Sequence, residues 1–449
     1  MAEAAKKKLS KKIIACWPSR TISTSVAAAL TGYITFFATD YLGLSAATVG
    51  LLFMASKIFD GVTDLIVGFI IDRLNLKLGK GRPYELALIG YWLCIVLMFS
   101  VPEMGIAPTY VYVFIMYTLI NSVFMTFLNC SAAVYLSNVI DEPEHVITVS
   151  AVTGFISLIF TMVASMVYPT VVDTIGTTRQ GWFLIAAVTA VPMTLLGLCR
   201  FLFIKERTRK NVSAATKFTV KDMINVIAKN KYICIFALII LLSNAGSTLH
   251  SGVQTYYFQY IIGDLSLASL LSLSMLSIII MMVLVPMLSK KFGFVNVIRA
   301  TTVCGIAGYL VRLIAPKSIA LLFVSNVFAL MGFYTMFSFG STFIIDCMDY
   351  GEWKNGVRSE GAITCVQSFT AKIGTAFGTG AIGVLMGLSG YNGSLEVQSA
   401  SANTMILMLF TVVPAIFCLV QFILLKLFDL DKSIDGIRAE LKERHAASE

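Results

Sequence analysis

Lys57-Ile58-Phe59-Asp60-Gly61-Val62-Thr63-Asp64 sits in a run that is otherwise apolar from Val49 to Ile71. On a helix, Lys57, Asp60 and Asp64 are spaced i, i+3, i+7 and share one face. A charge at the centre of a bilayer costs about 2.5–3.5 kcal/mol, so three on one stripe belong on a face turned away from lipid. Carboxylates on adjacent turns bind a small hard cation through oxygen, or hold a proton in its place, and Lys57 one turn away offsets their charge. The competing reading is a static Lys57–Asp60 ion pair that orders helix packing; it leaves Asp64 without a role.

The rest of the chain has the composition such a stripe requires. Of 449 residues, 57% are hydrophobic and 13% charged, against about 25% charged in a soluble domain. Lipid must cover what charge does not, and the expected class is an all-α, multi-pass protein of the cell (inner or plasma) membrane. A span needs about 20 apolar residues. Such runs fall at 22–41, 47–71, 84–102, 108–137, 146–171, 181–204, 231–262, 266–289, 296–315, 318–345, 359–388 and 402–427, which makes twelve transmembrane helices. With the N-terminus and every second loop inside, 28 of the 34 Lys and Arg lie on that side, and the outer loops hold only Arg179 and Lys317. The asymmetry places both termini in the cytoplasm. It also assigns the net charge of +9 to a rim facing anionic lipid headgroups, not to nucleic acid.

The longest inner stretch divides the chain into a six-helix bundle over 1–204, a cytoplasmic linker over 205–230, a second six-helix bundle over 231–428 and a cytoplasmic tail over 429–449. Nine scattered cysteines form no C-x-x-C pair, and three histidines lack metal-ligand spacing. No enzyme, cofactor or metal site is expected, beyond a bound Na+.

Basic turns recur at matching places after the second and eighth spans, Gly68-x-x-x-Asp72-Arg73 with Gly79-Lys80-x-Arg82, and Pro286-x-x-Ser289-Lys290-Lys291-Phe292-Gly293. Six plus six helices with such turns resemble the major facilitator superfamily. The motifs Tyr33-x-x-x-Phe37-x-Thr39-Asp40-x-Leu42-Gly43, Lys57–Asp64 and Gly79-Lys80-Gly81-Arg82-Pro83-Tyr84 resemble the first two helices of the glycoside–pentoside–hexuronide:cation symporters, the melibiose-permease-like family. Tyr256-Tyr257-Phe258-Gln259-Tyr260, the block Asp346-x-x-Asp349-Tyr350-Gly351-Glu352-Trp353-Lys354-x-Gly356-x-Arg358-x-Glu360-Gly361, and Lys372-x-Gly374 are similar to later parts of that family, in order.

The resemblance implies a cation site at Asp60, Thr63, Asp64 and Thr118. Asn121 stands where melibiose-permease-like members carry a carboxylate; an amide still coordinates but does not ionise, so the coupling ion is Na+ or H+. Lys372 lies too deep in its span to snorkel easily. It pairs with Asp60 or Asp64 across the halves, or else reaches the inner headgroups. Asp72, Arg73, Arg82, Asp349 and Arg358 are read as an inner gate.

For the substrate, the family's helix-1 Lys-Asp pair is replaced by Ser23-Thr24, its helix-5 Arg by Ile147 and its helix-4 Trp by Met125. The expected cavity residues are Thr24, Asn121, Met125, His250, Gln254 and Tyr257, with His250 a proton relay or an ordinary hydrogen-bonding group. The expected function is cation-coupled symport of a small solute, a sugar or glycoside, by alternating access. The lost charged clamp motivates the alternative of an amphipathic, lipid- or steroid-like solute. The partners are solute, cation and membrane lipid, and the protein is expected to work as a monomer.

Overall fold

In lipid no water satisfies the backbone, so each segment must bond internally, and helices do this. The computed structural model describes residues 10–73, 78–140, 143–206, 230–355 and 360–446, and the described elements are helices. They gather into two units, Met1–Leu44 with Ala55–Val212, and Ser45–Met54 with Ser213–Glu449.

The N-terminal unit contains α1 (Lys11–Cys16), α2 (Pro18–Thr31), α3 (Ile34–Phe36) running into a π-turn (Phe37–Tyr41), and most of α4 (Ala46–Arg73). It continues with a 3-10 turn (Arg82–Leu86), α5 (Ala87–Met98), α6 (Ile106–Thr118), a second π-turn (Leu119–Phe124), α7 (Met125–Val139), α8 (Pro143–Ile175) and α9 (Arg179–Phe203). Its helices are apolar on the outside as well as within. On α9, Trp182, Ile185, Ala186 and Ala190 are buried, while Val188, Val191 and Leu195 are 63%, 63% and 65% exposed. Water would reject that outer face, and hydrocarbon accepts it. Nine helices among the described residues are long and apolar enough to cross a membrane.

The C-terminal unit is built from α10 (Lys231–Tyr256) with a π-turn (Tyr257–Ile262), α11 (Ala268–Ser272), α12 (Leu276–Phe292), α13 (Phe294–Val311), α14 (Ile319–Asn355), α15 (Glu360–Leu388), α16 (Ala400–Phe410), α17 (Val412–Leu427) and α18 (Ile434–Ala446). Gly374 and Gly378 bring α15 against α10: a Cβ at Gly374 would lie 2.4 Å from the Leu241 carbonyl oxygen, and one at Gly378 2.7 Å from that of Ala245. Small residues are what permit such approach between membrane helices. The tail is a packed element of this unit. Ile434, Ile437 and Leu441, at i, i+3, i+7, bury against the cluster of Phe236, Phe343 and Phe428.

Candidate functional site: a polar seam in the N-terminal unit

Three side chains one helical turn apart meet α4 from the segment that runs from α6 through the π-turn to α7. The Thr118 hydroxyl donates to Ser56 Oγ (2.9 Å), and the Ser122 hydroxyl donates to the Ser56 carbonyl (3.1 Å). Thr126 Oγ1 donates to Asp60 Oδ1 (2.9 Å). Beside this ladder Lys57 Nζ donates to Asn121 Oδ1 (2.6 Å) and lies over the Tyr117 ring, while Asn121 Nδ2 donates to the Tyr117 carbonyl (3.1 Å). Asp60 is 7% exposed and Thr63 is 8%. The Thr63 hydroxyl turns back to the Asp60 carbonyl (2.9 Å).

A buried carboxylate is tolerable only when hydrogen bonds or a cation answer its charge. Here a threonine answers one oxygen, and an ammonium held by an amide stands one turn away. The seam gathers carboxylate, hydroxyl and amide oxygens, the ligand type that a hard cation takes, with a lysine one turn from Asp60. Asn121 lies in the π-turn Leu119–Phe124, and such turns recur at functional positions because the extra residue re-aims side chains. Ser56, Ser122 and Thr126 are not among the expected residues; for Ser122 and Thr126 the signal is the hydroxyl stripe that they form with Thr118, at i, i+4, i+8.

The expected cavity residues fall into two groups. Met125 and Gln254 are partly exposed, as is Asn121. Thr24 is 6% exposed and its hydroxyl bonds back to the carbonyls of Arg20 and Thr21. Like Thr24, His250 and Tyr257 are buried, packed inside the C-terminal unit at 4% and 0% exposure. His250 stacks on Phe410 and meets Tyr309 edge-on, and the Tyr257 hydroxyl donates to the Pro316 carbonyl (2.5 Å). Their place is in the packing of that unit, not on a cavity wall. Lys372 is partly buried on α15.

Of the expected inner gate, Arg358 lies outside the described residues, as do the side chains of Asp72 and Arg73. Arg82 is tied within the N-terminal unit. Its Nε donates to the Phe201 carbonyl (2.9 Å) and its backbone N–H to Glu206 Oε2 (2.7 Å). Lys80 and Gly81 add their N–H groups, so the turn forms a nest around the Glu206 carboxylate, which also accepts from Asn138 Nδ2 (2.7 Å). Gly79 opens the nest at φ +118, and a Cβ there would lie 2.2 Å from Glu206 Oε2. Only glycine meets both demands.

Asp349 is held by the tail. Arg438 on α18 donates Nε to Asp349 Oδ2 (2.7 Å) and Nη2 to Asp346 Oδ1 (2.9 Å). Burial pushes the Asp346 carboxyl up to about 6, against the opposing pull of Arg438. A carboxyl raised above its ordinary 3.8 stabilises the fold when protonated, so its contribution is complete below about pH 4 and is lost as pH rises through about 6. Arg438→Ala removes a lowering influence and leaves the ionised carboxylates without their partner. The gap between the variant's thermal midpoint in detergent and the wild type's is expected to be smaller near pH 4.5 than above pH 6. A gap that is the same at every pH would contradict this.

A second buried cluster is not signalled by the residue pattern. Glu85, 1% exposed, lies between Arg20 Nε (3.6 Å) and Arg200 Nε (3.4 Å). Arg20 Nη1 donates to the Leu128 carbonyl (2.8 Å), and the Arg200 guanidinium lies 3.4 Å from the Trp17 ring centroid. These three charges join α2, the 3-10 turn and α9.

Long apolar helices around a buried seam of carboxylate, hydroxyl and amide define a polytopic membrane carrier. The family profile of MFS/sugar transport proteins matches residues 23–432, and the chain belongs to that family. It is 28% identical over 421 residues to the isoprimeverose transporter of Lactiplantibacillus pentosus, covering 92% of this chain and 87% of that one. It is 26% identical to the putative glycoside/cation symporter YagG of Escherichia coli strain K12, covering 92% and 91%. Among solved structures, the nucleoside transporter NupG superposes with a TM-score of 0.60 at 14% identity over 95% of this chain and 98% of that one. A bacterial homologue of the human lysosomal transporter Spinster gives 0.65 at 13%, over 94% and 97%. The fold is thus of the major facilitator type, and the family match bears out the resemblance drawn from the motifs. The chain is a multi-pass membrane transporter, not an enzyme.

Proposed function

We propose that this transporter carries a sugar or glycoside in symport with a cation bound at the Asp60–Asp64 face, with Asp60, Thr63, Asp64, Thr118 and Asn121 as ligands and Thr126 orienting Asp60. The observation that carries the reading is Asp60, buried on a membrane helix and hydrogen-bonded to Thr126, with Lys57 held by Asn121 on the adjoining turn. The names of the relatives, an isoprimeverose transporter and a putative glycoside/cation symporter, support a sugar over an amphipathic solute. In this reading the chain spans the membrane twelve times with both termini in the cytoplasm. The bundles are 1–204 and 231–428, joined by the linker 205–230, with the tail at 429–449.

Binding of Na+ or H+ offsets the charge of Asp60 and Asp64 and releases Lys57 and Lys372 from that task, which readies the substrate site. Thr24, Asn121, Met125 and Gln254 are the proposed substrate-binding residues, uncharged groups suited to an uncharged sugar. Asp72, Arg73, Arg82, Asp349 and Arg358 exchange partners as the inner side opens and closes. The protein acts as a monomer in lipid.

The test is a thermal-shift series in detergent with isoprimeverose, other neutral glycosides, hexuronides and amphiphiles, followed by uptake into proteoliposomes under an imposed Na+ or H+ gradient. A neutral glycoside is expected to raise the midpoint and to accumulate under one of the two gradients. A shift given by amphiphiles alone, or uptake indifferent to both gradients, would overturn the reading.

A further inference from the structure

We propose that Arg312 is a positioning residue for transport. It serves a backbone carbonyl that Pro414 leaves without its helical donor, and so fixes the Phe410 ring against which the π-turn of the unit's first helix is registered.

α16 ends at Phe410 and α17 begins at Val412, with Thr411 between them at φ −127, ψ −72. The cause is four residues on. Pro414 has no N–H to give the Phe410 carbonyl, and its ring crowds that oxygen. Phe410 is fully buried and Pro414 is buried with it, so water is no substitute donor. Arg312, following the last residue of α13 and 0% exposed, supplies one: its Nη1 donates to the Phe410 carbonyl at 3.1 Å. The rest of the guanidinium is used as fully. Nη2 donates to Asn326 Oδ1 (2.5 Å) and Nε to Ser325 Oγ (3.3 Å), and Asn326 Nδ2 passes the chain on to Ser274 Oγ (2.6 Å). Its central carbon lies 4.3 Å from the Phe410 ring centroid and 5.0 Å from that of Tyr309.

Among the described residues no carboxylate pairs with Arg312. A buried cation answered only by neutral groups and rings is costly to keep, so packing alone does not account for it. Only a guanidinium reaches three acceptors in one plane.

What it fixes is the Phe410 ring. Tyr257 stacks on that ring at 4.4 Å with the planes 30° apart, and His250 at 5.7 Å with the planes 16° apart. Both belong to the unit's first helix, and Tyr257 is the first residue of the π-turn Tyr257–Ile262 that closes at Gly263, φ +85. The Tyr257 hydroxyl is fixed in turn to Pro316, four residues beyond Arg312. A π-turn is an intrinsically poor helix that persists where its neighbours hold it. The holding group here is a ring clamped by an arginine, and Gln254, one turn earlier, takes its aim from the same register. The N-terminal unit has the same device in apolar form. Its π-turn Phe37–Tyr41 precedes Gly43, φ +66, and Phe37 packs on Phe99 and Trp182 with no arginine among these contacts.

Two arms test this, and only the second rests on the symport reading. In hydrogen–deuterium exchange on the full chain in detergent, Arg312→Met is expected to speed exchange over 257–263 at least tenfold while α8 and α12 keep their protection. Adding Pro414→Ala, which returns an N–H to the Phe410 carbonyl, is expected to restore most of it. In the second arm, counterflow of labelled isoprimeverose per folded transporter falls at least fivefold in Arg312→Met and recovers in the double variant. If Arg312→Met does not fold, Arg312→Lys, which keeps the charge but reaches fewer acceptors, takes its place in the same comparison. Exchange that rises evenly across the C-terminal unit, or a loss that Pro414→Ala does not relieve, would overturn the proposal. Wild-type protein that does not exchange isoprimeverose would count against the substrate reading and leave the first arm decisive.

Discussion

Asp60→Asn is expected to abolish cation-driven accumulation in proteoliposomes, by at least a hundredfold, in a protein that still folds. Asparagine keeps the shape of the side chain and an oxygen for Thr126 Oγ1, so the 2.9 Å bond that joins α4 to α7 survives. What disappears is the anion. At 4 Å and an effective dielectric of 20, one unit charge attracts another by about 4 kcal/mol, which is roughly a thousandfold in cation affinity. Loss of even part of that moves the site out of the range of ordinary cation concentrations. Lys57 sharpens the effect, because with Asp60 neutral the ammonium that Asn121 holds stands nearer to being the net charge of the seam. The decisive comparison sets accumulation under Na+ and H+ gradients beside equilibrium exchange of the same sugar. Accumulation should vanish while exchange, which needs no net cation movement, persists in part. Wild-type accumulation in Asp60→Asn would remove the cation site from this face.

The parts of this molecule that were legible in its residue pattern are those for which lipid leaves no choice. Long apolar runs must be helices, and a charged stripe such as Lys57, Asp60 and Asp64 must find a polar neighbour. Which neighbour is another matter. Thr118, Ser122 and Thr126 repeat at helical spacing, yet a hydroxyl in an apolar helix most often bonds its own carbonyls, as Thr24 and Thr63 do here. Spacing does not separate that habit from a bond across to Ser56 or Asp60. His250 and Tyr257 show the same limit. Polarity says that a side chain avoids lipid, but the interior of a bundle satisfies that as well as a cavity does. Arg312 and Arg200 are harder still. Each sits within a span that hydropathy assigns to the membrane, and each finds its partner in a distant part of the chain, Phe410 in one case and Glu85 in the other. The π-turns carry no local signal beyond the glycines that follow two of them, Gly43 and Gly263.

The second large effect concerns Glu85, and it is expected to run against simple additivity. Glu85 is 1% exposed between Arg20 and Arg200, themselves 7% and 1% exposed. Removing one partner from a buried ionic group leaves uncompensated charge and costs about 3–5 kcal/mol. Glu85→Ala would leave two arginines facing each other across a cavity with nothing to separate their charges. For a unit of this size that loss corresponds to a fall in thermal midpoint on the order of 10 °C. Taking out all three charges is a different operation. Desolvation of the whole group is then avoided, and apolar replacements of a buried triad are commonly neutral or stabilising by about 1–4 kcal/mol. The triple variant Arg20→Met, Glu85→Leu, Arg200→Met is therefore expected to recover more than half of what Glu85→Ala loses, even though it gives up the guanidinium stacked on Trp17 and the bond to the Leu128 carbonyl. Midpoints of the three proteins in the same detergent decide the matter. A triple variant that falls as far as Glu85→Ala would mean that each arginine acts chiefly through Leu128 and Trp17, with Glu85 incidental to both. Recovery would mean that the triad joins α2, the 3-10 turn and α9 because its charges answer one another, so that any one of them alone is worse than none.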